Sequence, residues 1–386
     1  MVPGFSWCGL NVGIKDSTLD LGVIFSEIPC HAAGVFTRNT MPGAPVLVGR
    51  EHLMTGTLQA VIVNSKNANV ATGQKGIDDS RQICRMTGET LGISEKLVLP
   101  SSTGVIGRML PMEKITKGLP RVKSALGSSP THIEQFARAI MTTDTRPKWI
   151  CRTVGKATIV GLAKGAGMIE PNMATMLSYF ATDAKISSEA LSSILHKAVN
   201  RSFNRISIDS DTSTSDTVVV LANGKAGEVD LEKFEQVFCE MATYLAKEIA
   251  RDGEGATKLI ELCVSKAETP KQALKIAKSV INSPLVKTAI YGADPNWGRF
   301  IMAIGKVFEY VVPIDKLRIL FGRERNMWID AHSLNQNTVP LAAISEYLKN
   351  SEIFIEIELG TGEYAEVVWG CDLTEGYIKE NAYYTT

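Results

Sequence analysis

The sequence has few of the features that mark secreted, membrane-spanning or zinc-binding proteins. Its seven cysteines are odd in number and scattered, and no two of them have C-x-x-C spacing, which disfavours a disulfide framework and a zinc site. The cysteines are Cys8, Cys30, Cys84, Cys151, Cys239, Cys263 and Cys371. No apolar run reaches the roughly 18 residues of a membrane span, and the segment MVPGFSWCGL lacks the basic start and apolar run of a signal peptide. We therefore expect a reduced, cytoplasmic protein.

The chain also lacks an excess of charge of either sign. It contains 41 lysines and arginines against 41 aspartates and glutamates, without a basic stripe. This balance argues against nucleic acid or an anionic membrane surface as a partner. With 386 residues, of which 45% are hydrophobic, the chain is long enough to form two lobes with buried cores.

The motifs of common hydrolases and nucleotide-binding proteins are absent as well. The sequence contains neither G-x-S-x-G nor H-E-x-x-H, so a Ser-His-Asp or zinc hydrolase is unsupported. The loop KGAGM at 164–168 lacks the glycine spacing and the Lys-Ser/Thr ending of a phosphate-binding loop, which disfavours a nucleotide-binding module. The five histidines lie outside the glycine-rich and hydroxyl-rich loops: His31, His52, His132, His196 and His332.

Helical and strand periodicities alternate along the chain, which predicts a mixed α/β fold. Apolar residues recur at helical spacing in segments 187–203, 231–255 and 269–290, and the last should divide near Pro284. Strands are predicted at 157–165 and at 217–224, where Asn223-Gly224 should form a turn.

The carboxyl-terminal part of the chain has a different pattern. In segment 352–370, apolar residues alternate with Phe354, Glu356 and Glu358 before a turn at Gly360–Gly362. This alternation predicts a half-exposed antiparallel hairpin. We expect residues 284–386 to form a smaller C-terminal α+β lobe.

Three loops are rich in hydroxyl groups and lack histidine: PSSTGVIG at 100–107, MTTDTRPK at 141–148 and SIDSDTSTSDT at 207–217. A hydroxyl without a histidine can be activated by the amine of its own residue, if a threonine stands at a free amino terminus. The pair Ala174-Thr175 could provide such a terminus after self-cleavage, since glycines and Pro171 precede it and an apolar run follows it. Taken alone, such a pair is more typical of the start of a strand or helix.

The same blocks resemble the ArgJ family, the ornithine acetyltransferases (glutamate N-acetyltransferases) of arginine biosynthesis. KGAGMIEPNMATML at 164–177 is similar to the family's cleavage-site signature. Six further blocks follow the family's pattern and order: SSTGVIG, MTTDTRPK, SFNRISIDSDTSTSDT, RDGEGATK, GADPNWGR and ENAYYTT. The resemblance covers nearly the whole chain and implies layered sheets sandwiched by helices, as in the DmpA/ArgJ-like fold.

The resemblance implies self-cleavage between Ala174 and Thr175, which gives an α chain of residues 1–174 and a β chain that starts at Thr175. Residues 175–283 would then complete the catalytic core begun by the α chain. Thr175 would take the acetyl group from N2-acetylornithine as an ester and pass it to glutamate, with ping-pong kinetics. The family implies two αβ units per assembly and no metal or organic cofactor, with acetyl-CoA left open as a co-substrate.

The resemblance also assigns roles to residues around the nucleophile. Thr103 and Gly104 would form an oxyanion hole through a hydroxyl and a backbone N–H. The remaining residues would bind substrate: Thr142, Lys164, Thr175, Glu254, Asn381 and Thr386. Local sequence alone would favour a turn at Thr103-Gly104, a solvated charge at Lys164 and a surface residue at Glu254.

The chain departs from the family pattern at Glu170, where many relatives carry histidine, and at Lys66 and Val70, where glycine and a smaller residue are frequent. We expect the charge of Glu170 to alter the cleavage rate without changing the reaction class. A competing hypothesis is an amidohydrolase or aminopeptidase of the same self-cleaving architecture, in which water replaces glutamate as the acceptor.

Overall fold

A computed structural model describes residues 1–170, 176–336 and 338–383 of the chain. The chain forms two compact units, of which the first comprises Met1–Asn204 and Asp211–Ile249 and the second comprises Arg205–Ser210 and Ala250–Thr386. The lobe predicted from residue 284 onward thus belongs to the second unit. Three residues of the predicted site lie outside the described residues: Ala174, Thr175 and Thr386. The division into an α chain and a β chain stays a prediction.

The first unit is built on a sheet in which β4, β3, β2, β9, β7, β6 and β5 are neighbours in that order, and β1 pairs with β2. Its strands are β1 (Phe5–Leu10), β2 (Leu21–Phe36), β3 (Thr57–Asn64), β4 (Val98–Ser102), β5 (Lys148–Val154), β6 (Ala157–Lys164), β7 (Leu177–Ala184) and β9 (Thr217–Gly227). β7 and β9 are parallel, whereas β6 and β7 are antiparallel.

Helices cover both faces of this sheet. They are α1 (Ala44–Leu53), α2 (Gly73–Leu91), α3 (Met112–Gly118), α4 (Val122–Ala125), α5 (Pro130–Ala139), α6 (Ser188–Arg201) and α7 (Leu231–Arg251). Because side chains alternate along a strand, Val61 and Val63 of β3 join a core with Phe136 of α5. Ala60 and Ile62 join the opposite core, which includes residues of α2. Burial on both faces explains the nearly continuous apolar sequence of β3.

The second unit contains a sheet with the strand order β12-β11-β13-β10-β14-β8. Its strands are β8 (Ile206–Ser207), β10 (Leu259–Ala267), β11 (Arg318–Phe321), β12 (Met327–Asp330), β13 (Glu352–Glu358) and β14 (Tyr364–Cys371). Its helices are α8 (Pro270–Ile281), α9 (Pro284–Tyr291), α10 (Gly298–Gly305), α11 (Ala331–Asn335), α12 (Leu341–Tyr347) and α13 (Glu375–Ala382). Apolar residues of β10 and β13 pack with those of α8 in one core.

The mixed α/β fold with sheets flanked by helices is confirmed, and so are the predicted helices. The segment 269–290 divides at Ser283, whose hydroxyl accepts a hydrogen bond from the N–H of Val286 and so caps α9. The turn predicted at Asn223-Gly224 is wrong. β9 continues to Gly227, and Gly224 with a φ of 77° lies within an irregular stretch of the strand.

The hairpin predicted in segment 352–370 is also wrong. The alternation is real, since Ile353, Ile355 and Ile357 point into the core. However, β13 and β14 are not partners, because β10 lies between them, parallel to β13 and antiparallel to β14. Strand periodicity identifies which face is buried but not which strand pairs with which.

None of the helices in the described part of the chain is long and apolar enough to cross a membrane. Within the same residues, no group of three or more His, Cys, Asp or Glu side chains is arranged to hold a metal ion. The absence of a cofactor stays a prediction.

Candidate active site

The loop that follows β4 carries Thr103 and Gly104 and is held tightly against the end of β3. The N–H of Thr103 donates to the carbonyl of Asn64 at 3.0 Å. The N–H of Val105 donates to the carbonyl of Lys66 at 3.1 Å. Gly104 has a φ of 129°, and a Cβ at this position would lie 2.3 Å from the carbonyl carbon of Lys66. Only glycine fits here, which makes Gly104 a tightly constrained position.

The facing segment, residues 65–72, is itself in an uncommon conformation. Lys66, Asn69 and Ala71 all have positive φ values, of 78°, 52° and 58°. Such conformations cost free energy in residues other than glycine and persist where the surrounding structure fixes them. The side chain of Asn69 supplies part of that fixation, since it donates to Ser80 Oγ at 2.9 Å and accepts from Thr72 Oγ1 at 2.8 Å. Strained backbone therefore lies directly against the candidate oxyanion loop.

A buried aspartate connects the other two predicted residues of the first unit. Asp144 accepts hydrogen bonds from the N–H of Thr142 at 3.0 Å and from the N–H of Gly165 at 2.7 Å. Its Oδ1 also forms an ion pair with Lys148 Nζ at 2.7 Å, and both side chains are fully buried. Asp144 thereby holds Thr142 close to the end of β6, where Lys164 lies.

The charges around Asp144 keep it ionised despite its burial. Burial raises the pKa of the Asp144 carboxyl, but the positive charges of Lys148 and Lys164 and two hydrogen bonds outweigh burial. The pKa of the Asp144 carboxyl therefore lies well below the usual range of an aspartate. The result is a fixed negative charge between two buried lysines.

A further lysine, Lys15, contacts the loop that carries Thr142. Lys15 Nζ donates to the carbonyls of Met141 at 2.7 Å and Leu19 at 3.1 Å. Burial lowers the pKa of Lys15 to about 8, with smaller effects of Asp20 and Asp144 that raise it and of Lys164 and Lys66 that lower it. Lys15 thus adds a cation, next to Met141, to the part of the first unit that contains Asp144 and Lys164.

Lys164 lies near the start of the predicted β chain. It is 8% exposed, and it pairs with Leu177 in the antiparallel register of β6 and β7. Leu177 is two residues beyond Thr175 in the sequence. Burial of Lys164 excludes the solvated charge that its local sequence suggests.

Two predicted residues of the second unit contact each other directly. Asn381 Nδ2 donates to Glu254 Oε2 at 2.7 Å. Glu254 is only 9% exposed, although its position at a helix end suggests a surface residue. The neighbouring Gly255 has a φ of 67°, and a Cβ there would lie 2.4 Å from the main chain of Gly376 and Tyr377. The glycine turn therefore allows α13 to approach closely and brings Asn381 to the carboxylate. A carboxylate held in this way can pair with an ammonium group.

The structure thus places the predicted residues in three sets of contacts, two in the first unit and one in the second. In the first unit, Asp144 holds Thr142 near the end of β6 that carries Lys164, while Thr103 and Gly104 lie on the loop after β4. In the second unit, Asn381 contacts Glu254. Sequence reasoning missed Asp144 and Lys15. The block MTTDTRPK contains Asp144, and an acidic residue in a hydroxyl-rich loop is the signal that could have indicated it.

Comparisons with known proteins show the family of the chain. The sequence matches the ArgJ family over residues 6–386. It is 50% identical to the arginine biosynthesis bifunctional protein ArgJ 2 of Clostridium acetobutylicum, with 100% of this chain and 98% of that protein covered. It is 45% identical to the glutamate N-acetyltransferase Oat2 of Streptomyces clavuligerus, with 97% of this chain and 95% of that protein covered.

Solved structures also match. The ornithine acetyltransferase of Mycobacterium tuberculosis complexed with ornithine is 39% identical to the chain. The match covers 44% of this chain and 93% of that chain, with a TM-score of 0.42.

Proposed function

Because the chain belongs to the ArgJ family and is an acyltransferase, we propose that it transfers the acetyl group of N2-acetylornithine to glutamate in arginine biosynthesis. Thr175 carries the acetyl group as an ester, after the chain has cleaved itself between Ala174 and Thr175. Ornithine leaves before glutamate attacks the ester, so the two amino acids use the site in turn. We also propose an assembly of two α and two β chains. Measurement of the mass of the native protein in solution tests this composition.

One observation carries the proposal: the buried residue Lys164 pairs with Leu177 in the register of β6 and β7, and Leu177 is close in sequence to Thr175. A threonine at a new amino terminus has its own base, an α-amine with an ordinary pKa of about 7.7–8. A nearby positive charge lowers such a pKa and increases the neutral fraction that can accept the hydroxyl proton. Asp144 supports this role because it fixes the end of β6 through the N–H of Gly165.

The remaining contacts support the other steps. The constrained backbone N–H of Gly104 and the hydroxyl of Thr103 are suited to stabilise the oxyanion that forms on the acetyl carbonyl. The carboxylate of Glu254, oriented by Asn381, is suited to receive the side-chain ammonium of ornithine. The positive charges of Lys15 and Lys164 in the first unit are suited to bind the carboxylate groups of the substrates.

Intact-mass measurement and a substrate assay test the proposal together. Purified protein should give two chains whose masses correspond to residues 1–174 and 175–386, and sequencing of the second should read Thr-Met-Leu-Ser. N2-acetylornithine should add one acetyl group to the second chain, and glutamate should remove it as N-acetylglutamate. An unbroken, active chain would contradict the proposal.

The same assay separates the alternative reactions. Release of acetate from N2-acetylornithine without any transfer to glutamate would identify an amidohydrolase. A further arm contains acetyl-CoA and glutamate, because several relatives are named bifunctional. N-acetylglutamate formed in that arm makes acetyl-CoA a second acetyl donor.

Gly104→Ala tests the oxyanion loop. We expect kcat/KM to fall by about 100- to 1000-fold, because the added Cβ would displace the loop from the main chain of Lys66. The matched control is Gly107→Ala in the same loop. Gly107 also has a positive φ of 80°, but nothing lies within 4 Å of its added Cβ. Equal losses of activity in the two variants would show that loop conformation in general, and not the position of Gly104, is responsible.

A further inference from the structure

Glu254 lies in a turn whose backbone has unusual freedom, because a glycine stands on each side of it. The two glycines are Gly253 and Gly255, and the second has a φ of 67°. Glycine adopts more backbone conformations than any other residue, so the turn does not by itself hold Glu254 in one place. Within the turn, the N–H of Ala256 donates to the carbonyl of Gly253 at 2.8 Å. The direction of the Glu254 side chain therefore depends on contacts with other segments.

The residue after β14 supplies the first of these contacts through the buried carboxyl group of Asp372. Asp372 is 2% exposed, and its Oδ1 accepts the N–H groups of Thr257 at 2.8 Å and Lys258 at 3.0 Å. Its Oδ2 accepts the hydroxyl of Thr257. Three donors from two consecutive residues thus hold the chain that follows the glycine turn against the end of β14.

Thr374 supplies the second contact, from the position that directly precedes α13. Its side chain is in a residue only 8% exposed. The hydroxyl donates to the carbonyl of Gly255 at 2.6 Å and accepts the N–H of Gly376 at 2.9 Å, and the latter bond caps α13. One oxygen atom therefore joins the glycine turn to the beginning of the helix that carries Asn381.

Hydrophobic packing contributes little to the position of α13. None of its residues is buried, and so short a helix is marginally stable without packing. Two further hydrogen bonds join it to the second unit: Tyr291 Oη donates to Glu375 at 2.8 Å, and Tyr377 Oη donates to Asp209 at 3.3 Å. Neither of these two bonds reaches the glycine turn, whereas the bond of Thr374 does. The hydroxyl of Thr374 thus fixes α13 relative to the turn.

We propose that Thr374 is a positioning residue for the Glu254 carboxylate and thereby determines the preference of the site for a side chain that ends in an ammonium group. The hydroxyl fixes the turn and α13 together, so that Asn381 Nδ2 donates to Glu254 Oε2 at 2.7 Å. A carboxylate held in one direction binds an ammonium group with a smaller loss of conformational freedom than a mobile one. The inference rests on the proposed function, which assigns Glu254 to the side-chain ammonium of ornithine.

Only a hydroxyl can form both hydrogen bonds of Thr374 with a single atom. The side chain of asparagine accepts through Oδ1 but donates through a different atom, and valine does neither. Thr374→Asn therefore keeps the cap of α13 and loses the bond to Gly255, whereas Thr374→Val loses both. Thr374→Ser keeps both bonds, so the three variants separate helix capping from positioning.

The test compares two acetyl donors that differ only in the side-chain ammonium, N2-acetylornithine and N-acetylnorvaline. kcat/KM is measured for each donor with glutamate as the acceptor, and the ratio of the two values does not depend on the fraction of enzyme that is folded. We expect Thr374→Val and Thr374→Asn to lower the ratio of N2-acetylornithine to N-acetylnorvaline about 10-fold, the effect of weakening one hydrogen bond between charged groups. Thr374→Ser should retain the ratio of the wild-type chain.

Thr269→Val is the matched control for the loss of a helix cap. Thr269 caps α8 in the same unit by accepting the N–H of Gln272 at 3.1 Å, and α8 carries none of the predicted site residues. Loss of this cap should leave the ratio unchanged. Glu254→Gln is the reference for complete loss of the negative charge, and it should lower the ratio at least as much as Thr374→Val.

Three results would overturn the inference. The first is a wild-type ratio in Thr374→Asn, including the case in which kcat/KM falls equally for both donors, because such a fall indicates a general structural defect. The second is an equal loss of the ratio in Thr269→Val, and the third is a lowered ratio in Thr374→Ser. If Thr374→Val fails to fold, Thr374→Asn decides alone, since its helix remains capped. A wild-type chain that transfers no acetyl from N2-acetylornithine to glutamate would instead overturn the proposed function.

Discussion

Thr175→Ala is expected to leave the chain in one piece and to reduce transfer of acetyl from N2-acetylornithine to glutamate by about 10⁶-fold, a typical cost of removing a catalytic nucleophile. Both effects have the same cause, because the hydroxyl that attacks the carbonyl of Ala174 is the one that later carries the acetyl group. A denaturing gel measures cleavage, and formation of N-acetylglutamate measures transfer.

Thr175→Ser is the matched control for this result. Serine retains the hydroxyl and, after cleavage, the terminal amine, so part of both the cleavage and the transfer should remain. A serine variant without any cleavage would contradict the hydroxyl mechanism. An alanine variant that is intact but still active would show that the nucleophile is another residue.

Asp144→Asn is expected to lower the free energy of unfolding by about 3–5 kcal/mol, the typical result of removing one partner of a buried ion pair. The substitution keeps the shape of the side chain but leaves Lys148 and Lys164 without the negative charge between them. Chemical denaturation in the Thr175→Ala background measures the loss, because a single chain is expected to unfold more simply than two fragments. Activity in the cleaved protein should fall as well, since Asp144 holds both Thr142 and Gly165.

Two controls identify the cause of that loss. Glu113 and Lys117 form an ion pair of similar length, 2.6 Å, but their side chains are 80% and 74% exposed. Glu113→Gln should therefore cost no more than about 0.5 kcal/mol. Adding Lys148→Met to Asp144→Asn should recover part of the loss, because it removes one of the buried cations. If Asp144→Asn and Glu113→Gln lowered the free energy of unfolding by the same small amount, burial would not explain the contribution of the Asp144–Lys148 ion pair to stability.

The pH dependence of stability provides an independent measurement of Asp144. Its folded-state pKa lies below the ordinary value of about 3.9. The contribution of Asp144 to stability is therefore complete when the pH is above its ordinary pKa. This contribution is lost as the pH falls through the lower, folded-state pKa. The Asp144→Asn variant should lose less stability than the parent chain over this acidic range.

Local patterns in the sequence predicted the helices and the buried faces of strands well. In α6, Leu191, Leu195 and Val199 repeat at helical spacing and are all buried. In β13, the alternating isoleucines point into the core. Both features depend on neighbours within a few residues, and the sequence contains that information directly.

Long-range pairings could not be predicted in the same way. β10 separates β13 from β14, although the latter two follow one another in the chain. The residues next to Glu254 in the sequence suggest an exposed side chain. In the structure Glu254 is buried and contacts Asn381, which is distant in the sequence. Asp144 and Gly165 meet only because of how the segments between them fold.

By itself, the sequence determined the mixed α/β class, the family of the chain and the residue types available for chemistry, because these follow from composition, periodicity and the blocks that the ArgJ family shares. Only the tertiary structure decided which charges are buried together. Asp144 and Asp216 are both aspartates in hydroxyl-rich loops, yet two lysines keep the first ionised, whereas burial raises the pKa of the second. The physical reason is that a carboxyl's charge state depends on solvent access and on neighbours brought together from distant parts of the chain.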